Sequence, residues 1–156
     1  MRRKIIRVLA LSVLIVPAVA LVGSNVAKQY RRGRVLGTMG SLQTLSSGIE
    51  AYAFDNKKYP LASATLRDAE DLVPFVKPIY LKEPPLKDGW GNGFHVWSDG
   101  DDYVLISYGA DGRPDRDYTQ IRTFKDVPVP GDLTAEKNDI ILGDGQFRSW
   151  PEGSCH

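Results

Sequence analysis

The chain has 156 residues, a formal net charge of +1, and 42% hydrophobic and 25% charged residues. Once an apolar stretch near its start is set aside, that leaves room for one small domain, and the composition is not that of a disordered chain. The single cysteine, Cys155, excludes an internal disulfide framework and a cysteine-based metal cluster.

The charge is unevenly placed. Arg2, Arg3, Lys4, Arg7, Lys28, Arg31, Arg32 and Arg34 all precede Glu50, and every one of the 19 acidic residues lies at or after it. A basic segment can signal nucleic acid. Here the bases flank an apolar run and the remainder of the chain is acidic, which points to a membrane and away from nucleic acid.

That run, Val8 to Val22, is apolar apart from Ser12 and contains Pro17. Two readings compete. As a secretory signal it has a basic start, a short apolar region and Ala18-Val19-Ala20 as a cleavage site. As an anchor it lies near the lower limit of the roughly 17–25 residues that span a bilayer, and Ile5, Ile6 and a snorkelling Arg7 extend it. The following segment favours the anchor. Val26, Tyr30, Val35, Met39, Leu42, Leu45, Ile49 and Tyr52 recur mostly three or four apart, the period of a helix continuing out of the membrane. The expected division is therefore 1–24 as anchor or signal and 25–156 as the folded domain. On either reading the basic N-terminus stays in the cytoplasm and the domain is exported. This gives a single-pass membrane protein with an extracytoplasmic domain, or a soluble exported one.

Within the helix, Gly33, Gly37, Gly40 and Gly48 each cost up to about 1 kcal/mol relative to alanine. Gly33-x-x-x-Gly37 is either a face for close helix packing or part of a segment that frays around Arg31–Arg34 and restarts. After Pro60, Ser63 can cap a short helix carrying Leu66, Ala69, Leu72 and Val73, limited by Pro74 and Pro78. Tyr80 to Leu86 is expected to be extended before its prolines. Phe94–Ser98, the turn Asp99-Gly100-Asp101-Asp102 and Tyr103–Tyr108 form a hairpin. A polar, proline-punctuated stretch from Gly109 to Asn138 follows. A last strand begins at Asp139 and turns through Gly143-Asp144-Gly145 into Gln146–Trp150. The fold class is α+β: a long N-terminal helix, membrane-spanning at its start, packed on a small antiparallel sheet.

Candidate chemistry is sparse. His95 lies mid-strand and His156 in the tail, with no partners for catalysis. No P-loop, Gly-x-Ser-x-Gly or zinc spacing occurs, so the sequence supports neither an enzyme nor a small-molecule substrate. One acidic constellation remains: Asp111, Asp115 and Asp117 after the second strand, with Asn138 and Asp139 before the last. Loop carboxylates and carbonyls suit Ca²⁺, although the spacing is not that of an EF-hand. Solvated loop acids are the plainer explanation of the same residues.

Several motifs, in order, resemble one family. Lys87-Asp88-Gly89-Trp90-Gly91-Asn92 is similar to a Lys-Asp-Pro-Trp-Gly-Asn turn, with Gly89 in place of proline. Ser107-Tyr108-Gly109-Ala110-Asp111-Gly112 is similar to Ser-Leu-Gly-Ala-Asp-Gly, and Asn138-Asp139-Ile140 to Asp-Asp-Ile. Behind an apolar N-terminus and a helix ending in Asp55-Asn56-Lys57-Lys58-Tyr59-Pro60, this resembles the type II secretion pseudopilins, in particular the G-type subunit. The resemblance runs from about Val26 to Ile140. It implies a pilin-like fold and a structural, non-enzymatic role alongside other pseudopilin or secretion-machine subunits, with self-assembly among the options. It also implies a Ca²⁺ site, with Asp111 and Asp139 as side-chain ligands, Asn138 as a further one, and Tyr108 and Arg113 contributing carbonyls. In the turn it implies tryptophan packed against the helix. The chain departs from the family pattern in three places. It has no Gly-Phe prepilin peptidase junction followed by a helix glutamate, its loop between Pro114 and Asn138 is longer, and Gly143–His156 extends beyond the usual end.

Overall fold

The computed structural model describes residues 2–127 and 138–151, with side chains from Val26 onward except that of Phe124. The chain divides into two compact units, Met1–Gly33 and Arg34–His156. Helix α1, Arg2–Asn56, runs without a break through Arg31–Arg34, so the second of the two readings of that segment, fraying and restarting, does not hold. Val8–Val22 falls where side chains are not described. Among the described residues no helix is long and apolar enough to cross a membrane.

In the second unit α1 buries one stripe. Val35, Leu42, Leu45 and Ile49 are fully or almost fully buried, at the spacing of one helix face. Each such aliphatic side chain contributes roughly 1.5–3 kcal/mol on burial. The helix stops at Lys57, whose backbone is left-handed (φ 63°) and whose N–H donates to the Ala53 carbonyl at 2.7 Å, closing the last turn. The Tyr59 N–H then donates to the Gly100 carbonyl at 2.9 Å, tying the helix exit to the first hairpin.

The sheet has five antiparallel strands in sequential order: β1 Arg67–Asp68, β2 His95–Ser98, β3 Tyr103–Ser107, β4 Ile140–Gly143 and β5 Gln146–Ser149. Val96 pairs with Leu105, and Leu105 with Leu142, so alternate residues of β2, β3 and β4 line up on one face. Phe94, Val96, Tyr103, Leu105, Ile140 and Leu142 form that face and pack with the α1 stripe. A register shift between Ile141 and Leu142 marks a bulge where β4 meets β5.

One difference from the sequence reading stands out. The segment before Pro74 is not a helix capped by Ser63. It makes the edge strand β1, then a 3₁₀ turn at Ala69–Leu72 and a single helical turn α2, Val73–Val76. Pro74 opens α2 instead of ending a helix, because a proline in the first turn forfeits no intrahelical bond. The sheet is covered on both faces. Trp97, Val104, Ile106 and Ile141 point away from α1 and pack with Tyr118, Ile121 and Val127 from the loop after β3.

Candidate functional site

The glycine-rich turn is built around Asp88. Its buried carboxylate accepts from the Trp90 and Asn92 N–H groups through Oδ1, and from the Ser107 hydroxyl through Oδ2, each at 2.9 Å. An aspartate bonding to backbone two residues ahead is the usual means of shaping such a turn. The turn lies directly on α1: the Gly89 N–H donates to Thr38 Oγ1 at 2.8 Å, and Thr38 Oγ1 donates to the Arg34 carbonyl at 2.9 Å. A Cβ at Gly89 would stand 2.5 Å from that carbonyl oxygen, so only glycine permits the approach. Trp90 packs partly buried against the helix-side core, as the resemblance implies.

The same turn holds the end of β3. Asn92 Nδ2 donates to the Gly109 carbonyl at 2.8 Å, and Ser107 Oγ accepts from the Gly109 N–H at 3.2 Å. Gly112 is left-handed (φ 64°), with Asn92 Oδ1 only 3.0 Å from where its Cβ would be. The two motifs read separately in the sequence are thus one hydrogen-bonded structure.

Beyond it the chain returns to β4 at Asp139. This residue has no solvent exposure. Its Oδ2 accepts from the Tyr118 hydroxyl at 2.5 Å and from the Asp115 N–H at 2.9 Å, while its own N–H donates to Asp115 Oδ2 at 2.9 Å. Its Oδ1 is buried and has no hydrogen-bond partner among the described residues. Burial, followed by the charges of Asp115 and Asp111, pushes the Asp139 carboxyl up to about 6 against the hydrogen bonds that hold it down. The neighbouring Tyr108 phenol is raised to about 12, first by burial and then by the Asp139 charge.

The expected ligands are distributed unevenly. Asp139 and Asn138 are buried, and Tyr108 is partly buried with its ring stacked 4.2 Å from His95. Asp111 and Arg113 are exposed, and the Arg113 N–H donates to Asp111 Oδ1 at 3.2 Å. Among the described residues no three His, Cys, Asp or Glu side chains converge closely enough to hold a metal ion. One feature suits a hard cation: Asp139 Oδ1 is a buried carboxylate oxygen with no hydrogen-bond partner among the described residues, and the Asp115 and Asp111 charges act on it. The residues that grip Asp139 are Asp115, one of the loop acids of that constellation, and Tyr118, and the resemblance assigns neither of them a ligand role. The only sequence signal for Tyr118 is its place with Ile121 and Val127 as an apolar spacing inside a polar loop.

A long helix laid on a small antiparallel sheet, with a glycine-rich turn locked to the helix and a loop clasped to the fourth strand, defines a pilin-like α+β protein. Residues 25–122, more than half of the chain, match the family model for type II secretion system (T2SS) protein G. The type II secretion system core protein G of Xanthomonas campestris pv. campestris is 32% identical over 117 residues, covering 70% of this chain and 78% of that protein. The crystal structure of the major pseudopilin from the type 2 secretion system of enterohaemorrhagic Escherichia coli is similar at 27% identity, over 60% of this chain and 86% of that one, with a TM-score of 0.40. The chain belongs to the type II secretion protein G family and is a pseudopilin component of that kind.

Proposed function

We propose that the chain is a structural, non-enzymatic subunit that packs by the outer face of α1 against neighbouring pseudopilin helices, copies of itself included, in a type II secretion machine. The observation that carries this is the chemistry of that face. Between Val35 and Phe54 the only charged residue is Glu50, and its carboxylate accepts from the Tyr59 hydroxyl at 3.1 Å. The exposed residues are Leu36, Gly37, Gly40, Gln43, Thr44, Ser47, Ala51 and Phe54, with Leu36 44% and Phe54 77% exposed. Thr44 and Ser47 turn their hydroxyls onto the carbonyls of Gly40 and Gln43, each at 2.9 Å, leaving mainly carbon to face outward. Nothing lies within 4 Å of where Cβ atoms at Gly37 and Gly40 would be. A low, uncharged ridge flanked by large apolar side chains suits close helix contact.

In this reading Val8–Val22 anchors the chain in the inner membrane with the domain on the periplasmic side, and Ca²⁺ braces the loop at Asp139. Asp139 Oδ1 holds the ion, with Asp111, Asn138 and the Tyr108 and Arg113 carbonyls as further donors. The ion supplies positive charge to a buried carboxylate. The protein supplies the position of that carboxylate. A soluble periplasmic module is the second reading, favoured by Ala18-Val19-Ala20.

A photo-crosslinking side chain at Ser47 tests the packing in cells. Adducts to a second copy or another pseudopilin are expected, with none from the same probe at Arg122. Absence of adducts at Ser47 refutes the packing. The mass of the native N-terminus separates the anchor from the cleaved signal, since a start near Leu21 is incompatible with an anchor.

A further inference from the structure

The two oxygens of Asp139 meet different surroundings, and Tyr118 is the reason. Oδ2 is taken by the Tyr118 hydroxyl and the Asp115 N–H, and Oδ1 has no hydrogen-bond partner among the described residues. Tyr118 is nearly fully buried in the second apolar cluster with Ile121, Val104 and Ile106, and its ring lies parallel to that of Tyr108 at 6.2 Å. The hydroxyl is therefore held in place by packing and cannot swing away without opening the second face of the sheet. The loop is also fastened to β4 by the exchange in which Asp115 and Asp139 each give an N–H to the other's carboxylate. None of these bonds involves an ion.

We propose that Tyr118 is a positioning residue that docks the loop after β3 onto β4 and orients Asp139 before any cation arrives, so that Asp139 meets the ion through Oδ1 alone. The role of the ion rests on the calcium reading above; the clasp does not. A loop docked in advance binds an ion without first having to order itself, which lowers the entropic cost of binding.

Hydrogen exchange on the full chain, in chelator and then in calcium, tests this. In chelator, amides of residues 115–121 in the wild type are expected to be protected, as those of β2 and β3 are. Tyr118→Phe keeps the ring and its packing but loses the hydroxyl. Its loop amides should exchange about tenfold faster or more in chelator, the loss expected for a hydrogen bond to a charged group. Calcium should return most of that protection, while β2 and β3 stay unchanged in both conditions. An unprotected wild-type loop in chelator overturns the proposal without relying on any variant. So does a Tyr118→Phe loop that matches wild type. If calcium alters neither protein while Tyr118→Phe still loosens the loop in chelator, the clasp stands and the calcium reading falls.

Discussion

The hydroxyls of Ser46 on α1 and Tyr103 on β3 meet at 2.6 Å in the buried interior, and the same Tyr103 oxygen accepts the Gly145 N–H at 3.0 Å. One phenol therefore joins the helix, the centre of the sheet and the β4–β5 turn. Burial, above all, raises the Tyr103 phenol well above its usual range, so it stays neutral and able to donate. Tyr59 packs beside it, ring centroids 4.7 Å apart, which closes the site off from water.

Tyr103→Phe leaves both the Ser46 hydroxyl and the Gly145 N–H without their partner while keeping the ring. The expected loss is about 2–3 kcal/mol, the cost of buried polar groups left unsatisfied. Ser46→Ala removes only one bond and leaves Gly145 paired, so about 1 kcal/mol is expected. Urea denaturation of the full chain measures both, and equal losses would contradict the view that Tyr103 is the shared element.

Gly89 and Gly93 lie in the same turn region but should respond oppositely to alanine. At Gly89 the new methyl runs into the Arg34 carbonyl of α1 at 2.5 Å, and neither backbone can yield without lifting the turn from the helix. The Gly89–Thr38 bond is lost with it, so a destabilisation of about 2–4 kcal/mol is expected. At Gly93 nothing lies within 4 Å and φ is not left-handed. Alanine there restricts the unfolded chain and should be neutral or stabilising by up to about 1 kcal/mol. Thermal melts of the two variants against wild type check the contrast.

The helix stripe and the hairpins were legible because their signals are local. The three-to-four spacing of Leu42, Leu45 and Ile49, the acidic turn before Tyr103, and Asp144-Gly145 between β4 and β5 state their conformations within a few residues. Strand β1 was not legible. Arg67 and Asp68 are exposed and become a strand only by pairing with Val96 and His95, a contact no local pattern encodes. The covered second face had a signal that alternation hid: Val104-Leu105-Ile106 and Ile140-Ile141-Leu142 are unbroken apolar runs, as expected of strands buried on both sides. At the candidate site Asp139 could be found by its motif. Its partner Tyr118 lies 21 residues away in a polar loop, where sequence gives no reason to pair the two.

Asp139 makes the stability of this protein depend on pH in a defined direction. Its folded carboxyl titrates at about 6 against the ordinary 3.8, because burial and the nearby Asp115 and Asp111 charges disfavour the ionised form. Between those two values the folded chain keeps a proton that the unfolded chain has released. Stability therefore falls as pH rises through that window and levels off above it. Asp139→Asn cannot titrate, so wild type minus variant isolates the effect; Asp144, also raised first by burial, is present in both proteins and cancels. Denaturation curves of both proteins from about pH 4 to pH 7.5 in chelator should diverge with that sign, and parallel curves would refute it. Calcium favours the ionised carboxylate and lowers its folded pKa, so adding it should flatten the divergence in wild type and leave Asp139→Asn unmoved. A divergence that calcium does not change would mean that Asp139 Oδ1, though buried and unpartnered among the described residues, is not where the ion binds.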